Sequence, residues 1–210
     1  MAIADANYRF VAVDVGAPGR ASDGGVWERS GLPAKIKRSY PDEVLRLPNG
    51  QQANHYFVGD PAFPLSMTMM KPYGGDFLTK TQRIFNYRHS RARRVVENVF
   101  GIAAARWRIL RGSMECLPPM AKDAVLAITV LHNFCMTHES NYCPPSYADY
   151  IDAAGVLQLG AWRSDATGCN WLDIQRRVGN QSINSAKAFR DRLAHFFNTT
   201  GAVAWQDNCI

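Results

Sequence analysis

The stretch FNYRHSRARRVVENVFGIAAARWRIL, residues 85–110, decides how this chain is read. Within it Val95, Val99 and Ile102 recur at helical spacing, as do Val96, Phe100 and Trp107. Ala103, Ala104 and Ala105 add helix propensity, so the pattern predicts a helix over 90–110. Arg91, Arg93, Arg94, Arg106, Arg108 and Arg111 decorate the rest of it. Glu97 stands beside the apolar stripe, where an unpaired buried charge would be costly. Either Arg93 or Arg94, four and three residues back, pairs with it, or it points at a sheet as a metal ligand. The residues alone leave both readings open.

Working outward, YRFVAVDV (residues 8–15) is rich in β-branched and aromatic residues and reads as a strand. Residues 1–4 look like the end of another strand, with Asp5, Ala6 and Asn7 as the turn of a hairpin. Ser22 or Asp23 caps a short helix running through Val26 and Trp27 toward Leu32. YFVG (56–59) is a short strand leading to Asp60, Pro61 and Pro64 interrupt regular structure beyond it, and PYGGD (72–76) is a loop. Downstream, a helix is predicted over 119–136 with Leu126, Val130 and Phe134 on one face. After a loop at 141–145, a last amphipathic helix over 184–197 is anchored by Phe189, Leu193, Phe196 and Phe197. Strand, strand, helix, strand and then mostly helix predicts an α/β domain with a mixed sheet.

With 210 residues and 47% apolar content, the chain is long enough for one sizeable core and too apolar to be disordered. A net charge of +6 makes a polyanionic partner plausible, and much of that charge falls in one stretch. The five cysteines (Cys116, Cys135, Cys143, Cys169 and Cys209) are odd in number and form no CxxC pair. They argue against a disulfide framework and a cysteine zinc site, and for reduced thiols. No signal peptide is visible, and the most apolar stretch, 124–134, is too short to span a bilayer. A soluble, intracellular protein without a membrane partner is expected.

Several side chains could carry chemistry. Asp60 follows a strand directly, a usual place for a site in α/β proteins; from position alone, an aspartate capping a turn is the plainer reading. For Asp23 an N-cap is favoured. Asp5 is explained by its turn, and Asp14, on the strand face of Phe10 and Ala12, is less easily explained. Arg83, Arg88, Arg91, Arg93 and Arg94, interleaved with Tyr87 and His89, would suit phosphate contacts or be a solvated basic helix face. His132 in LHNF reads as a hydrogen-bonded core histidine. No Ser-His-Asp spacing, P-loop or dinucleotide fingerprint is present.

DVGAPGRASDGGVWERSGL (14–32), VGDPAFPLSMTMMKPYGG (58–75), the 85–110 helix and LHNF (131–134) occur in that order. Together they resemble the DDE domain of PIF/Harbinger transposases and their domesticated nuclease relatives over roughly 1–136. The helix motif with its arginines, VEN and FG is the most specific part. The resemblance implies an α/β, ribonuclease-H-like fold: a mixed sheet with flanking helices. Residues 1–136 would be the endonuclease domain, incomplete at its N-terminus, and 137–210 a helical C-terminal extension. In such a fold acidic residues hold two divalent cations, Mg2+ or Mn2+, for in-line phosphodiester displacement.

Carried over by position, Asp60 is the second acidic ligand, Glu97 the glutamate of the VE motif and Asp23 a further metal ligand. The resemblance places the first aspartate on a strand ahead of Met1, so the first central strand is expected to be missing and the sheet to show an open edge. The function implied is metal-dependent DNA cleavage and strand transfer, reduced or lost where the first aspartate is absent. The alternative is a catalytically dead, transposon-derived protein that binds DNA or a protein. A Myb-like partner and residence in the nucleus, or the cytoplasm, accompany either reading.

Overall fold

The structure is a computed structural model that describes residues 1–19, 21–39, 44–47, 50, 52–153, 155–167 and 183–210. In chain order the elements begin with β1 (Ala2–Ala4), β2 (Phe10–Val13), α1 (Asp23–Arg29), α2 (Leu32–Ser39), β3 (Val44–Arg46) and β4 (Gln52–Asn54). Then come β5 (Phe57–Val58), β6 (Met69–Met70), the long α3 (Lys80–Arg106) and α4 (Pro118–His138). β7 (Tyr150–Ile151), β8 (Leu157–Gln158), α5 (Trp162–Asp165) and α6 (Asn184–Asn198) complete them. The α/β character expected from the sequence is present. Among the described residues the strands form separate two-stranded pairs: β1–β2, β3–β4 and β7–β8 antiparallel, β5–β6 parallel.

The chain divides into two compact units. The first holds Met1–Gly19 and Arg94–Gln175, the second Arg20–Arg93 and Arg176–Ile210. The boundary falls within α3, so Glu97 belongs to the first unit and Asp23 and Asp60 to the second. Residues 137–210 are likewise shared between the two.

In the first unit the β1–β2 hairpin closes through Asp5, whose Oδ1 accepts from the backbone N–H of Asn7 and Arg9 while Tyr8 turns through φ 59°. Phe10 donates its N–H to Asn133 Oδ1 at 2.8 Å and accepts from Asn133 Nδ2 at 2.8 Å, so this side chain of α4 pairs with the strand as another strand would. Beside it His132 Nε2 donates to Tyr8 O at 2.8 Å. Burial holds the imidazole below its ordinary range, and in the neutral ring Nδ1 accepts from Tyr142 Oη, 2.8 Å away. LHNF thus fastens α4 to the hairpin, and the core reading of His132 holds.

The same bonds correct the face assigned to α4. Val130 and Phe134 are 68% and 56% exposed, while Ile128, Thr129 and His132 are buried. A hydrophobicity pattern alone turns this helix the wrong way, because the two polar side chains that must meet the hairpin set its rotation. On α3, Val99 and Ile102 are fully buried but Phe100 is 39% exposed, so the stripe through Phe100 is the outer one.

The second unit packs Phe85 of α3, Met70 of β6 and Phe189 and Leu193 of α6 into one cluster. Phe189, Leu193 and Phe196 are buried as expected. Ser22 caps α1 by accepting from Gly25 N–H, and buried Trp27 meets Phe57 and Phe63 edge-on. α3 begins ten residues earlier than the pattern predicts, because Thr79 and Gln82 form a reciprocal capping box. Its last turn is closed by Arg111, which donates to Ala104 O and Ala105 O. Among the described residues no helix is long and apolar enough to cross a membrane. Among the described residues no disulfide joins Cys116, Cys135, Cys143 and Cys209, and Cys169 lies outside the described residues.

Candidate functional site

In the second unit Asp60 stands two residues past β5, where the strand register (Val58 opposite Met70) puts Lys71, the residue after β6, close by. Gly59 is required here: a Cβ on it would lie 2.6 Å from Met69 Sδ and 3.0 Å from the Phe63 ring. His89 Nε2 donates to Gly59 O at 2.7 Å, and Lys71 Nζ donates to Pro61 O at 3.3 Å. The backbone is therefore held on both sides of Asp60. Asp60 is half-buried, and its Oδ1 accepts from Ala62 N–H at 2.9 Å, so it does cap a turn. Burial pushes the Lys71 ammonium below its ordinary range; Arg190 adds to this and Asp60 opposes it. Burial likewise holds His89 low, with the nearby Arg93 and Arg190 reinforcing it. Asp23 is exposed in the first turn of α1. That turn is seated on the loop after Asp60, since a Cβ on Gly24 would lie 3.3 Å from Pro64 and 3.9 Å from Ala62 O.

In the first unit Glu97 is exposed on α3. The next residue, Asn98, is 2% exposed, accepts from Asp149 N–H at 3.0 Å and donates to Asp149 O at 3.1 Å. It also accepts from Trp162 Nε1 at 2.9 Å. Gly101 gives the Trp162 ring its place, since a Cβ there would lie 2.5 Å from two ring carbons. Asn98 and Gly101, in VEN and FG, are thus the seat of Asp149 and Trp162. The Asp149 side chain is fully buried and accepts from Arg163 at both oxygens and from Gly160 N–H. Burial pushes its carboxyl up, but those hydrogen bonds outweigh burial and leave it below the usual carboxylate range. Sequence reasoning passed over Asn98, Asp149 and Arg163. The one signal that could have found them is a polar residue set between two core positions of α3.

The five arginines considered for phosphate contact differ in what they do. Arg83 is exposed. Arg88 donates to Gly201 O and Gln206 Oε1, both at 3.1 Å, with its guanidinium 4.7 Å above the Phe197 ring. Arg91 lies 3.9 Å over Trp205, one guanidinium nitrogen buried without a hydrogen-bond partner among the described residues. Arg93 is half-buried beside His89. Arg94, in the first unit, acts on Asp149. Asp14 lies on the rim of an apolar groove of about 210 Å³ that no other carboxylate lines. Among the described residues no three His, Cys, Asp or Glu side chains gather to hold a metal ion.

The family profile described as DDE superfamily endonuclease matches residues 1–133. A protein of Arabidopsis thaliana named ALP1-like is 33% identical over 115 residues, covering 54% of this chain and 28% of its own. The human protein HARBI1, named as a candidate nuclease, is 26% identical over 139 residues, covering 65% of this chain and 36% of its own. Bovine HARBI1 matches to the same extent. The chain therefore spans about a third of the length of the curated relatives it matches. No solved structure matches it.

Proposed function

The chain belongs to the DDE superfamily endonucleases, and from that premise we propose that it is a Harbinger-type protein that grips DNA for metal-dependent phosphodiester cleavage. The observation that carries the reading is Asp60 at the carboxyl end of a parallel strand, inside the matched region, with its backbone held by His89 and Lys71. Asp60, Glu97 and Asp23 are the carboxylates offered to the cations, and a ribonuclease-H-like fold is the frame in which they would serve. Arg83, Arg91, Arg93 and Arg94 are the phosphate contacts; Arg88, whose hydrogen bonds go to Gly201 and Gln206, belongs to the packing that supports them. The described carboxylates do not amount to a three-ligand cage, so no chemical step is assigned to this chain through a metal. DNA is the substrate, a Myb-like protein supplies sequence recognition, and the nucleus is the place of action.

The second reading is a catalytically dead, transposon-derived relative that binds DNA without cleaving it. Calorimetric titration of manganese into the chain and into an Asp60→Ala/Glu97→Ala variant separates the two. Binding that vanishes in the variant supports the nuclease reading. Absence of binding by the folded chain favours the second. Neutralising Arg91, Arg93 and Arg94 should lower DNA affinity and flatten its salt dependence, by about one in the slope for each phosphate no longer neutralised; an unchanged slope would remove the arginines from the interface.

A further inference from the structure

We propose that Arg163, outside the matched region, is a DNA-phosphate contact at the Glu97 site, held ready by the buried Asp149; this rests on the reading of Glu97 as part of a nuclease site. Arg163 donates through Nε at 2.9 Å and through one terminal nitrogen to the two oxygens of Asp149. The other terminal nitrogen donates to none of the described residues, and the side chain is 41% exposed although Asp149 beneath it is at 0%. The guanidinium also lies 4.5 Å over the ring of Trp162, which Asn98 and Gly101 fix against α3. Two hydrogen bonds and one stacking contact leave it a single orientation, so little rotamer freedom remains to be lost when an anion binds.

Electrostatics point the same way. The hydrogen bonds that Arg163 donates to Asp149 hold it firmly protonated, and the charge of Glu97 reaches the same guanidinium. Arg94 acts on Asp149 from α3. Two arginines and two carboxylates thus come together in the first unit. A phosphodiester oxygen at the outer edge of Arg163 would meet a guanidinium charge already fixed in place by Asp149 and Trp162. A planar guanidinium with one edge already paired suits that oxygen through its remaining edge. The turn of α3 that presents Glu97 also builds, through Asn98 and Gly101, the seat that delivers Arg163.

The test measures DNA affinity of the full chain by fluorescence anisotropy across a salt series. Arg163→Met combined with Asp149→Asn removes one charge of each sign, leaves no buried carboxylate unpaired and keeps the net charge. It should lower the slope of log affinity against log salt by about one and weaken binding several-fold, with an unchanged circular dichroism spectrum. A merely structural role would leave the slope where it was, and that result in a folded variant overturns the proposal. Should the double variant not fold, Arg163→Lys decides: weaker affinity with the slope kept supports the contact, and unchanged affinity overturns it. Arg93→Gln/Arg94→Gln separates this inference from the broader reading. If that pair flattens the slope and the Arg163 variants do not, the DNA-binding reading stands and the Arg163 contact falls. If the chain binds no DNA, both fall.

Discussion

Gly101→Ala is a perturbation whose sign the structure fixes. Within α3 the change should help, because alanine is better than glycine in a helix interior by about 1 kcal/mol. Against this, the new methyl carbon would sit 2.5 Å from two Trp162 ring carbons and 2.6 Å from a third. The ring would have to retreat by roughly 1 Å to restore ordinary contact, and overpacking of this kind costs about 1–3 kcal/mol. Trp162 has little freedom to move, since Asn98 Oδ1 accepts from its indole N–H at 2.9 Å and Arg163 covers its ring. Set against the helix gain, the clash leaves a net loss of up to about 2 kcal/mol and a fall in Tm of about 2–4 °C for each kcal/mol. Thermal unfolding followed by circular dichroism reads it directly. In a Trp162→Leu background the clash is gone, and the same substitution should stabilise by about 1 kcal/mol. Equal effects of Gly101→Ala in the two backgrounds would refute the reasoning, since no coupling between the two positions would then exist.

Three further outcomes are expected from contacts elsewhere in the chain. Asn133→Leu leaves the N–H and C=O of Phe10 without their partners and should cost about 1–3 kcal/mol, read as a lower urea midpoint. Arg88→Met keeps an apolar stem over Phe197 but removes the bonds to Gly201 O and Gln206 Oε1; faster proteolysis of the C-terminal segment is the expected sign, and an unaltered rate would count against it. His89 and His132 are both held by burial below the ordinary 6.5, so the unfolded chain binds more protons than the folded one in that window. Their contribution to stability is complete above about pH 6.5 and declines as pH falls through their depressed folded values. A urea midpoint that stays level from pH 7.5 to 5, or rises on acidification, would contradict this.

Legibility in the sequence depends on how local the deciding interaction is. α6 and most of α3 and α4 were readable because periodicity is written in neighbouring residues. The capping box at Thr79 and Gln82 was equally local, four residues that announce the true start of α3, and reading from the apolar stripe alone missed it. The rotation of α4 was not readable, because His132 and Asn133 answer to Tyr8 and Phe10 at the other end of the chain. Asp60 stood out by its place directly after a strand. Its environment of Lys71, His89 and Arg190 comes from three different elements, and no spacing reveals it. Asn98 shows the limit most clearly: it reads as one polar residue in a helix, and its meaning lies with Asp149 and Trp162, 51 and 64 residues away.

The pairing of Asn133 with Phe10 spans 123 residues. Closing so long a loop is entropically unfavourable until most of the intervening chain is ordered. The hairpin at residues 1–14 can form early by itself, but it is marginal as an isolated two-stranded ribbon. Its amides should therefore gain protection from hydrogen exchange late, together with α4 rather than with each other. During synthesis on the ribosome the hairpin would emerge well before α4 and become native only once that helix had followed it.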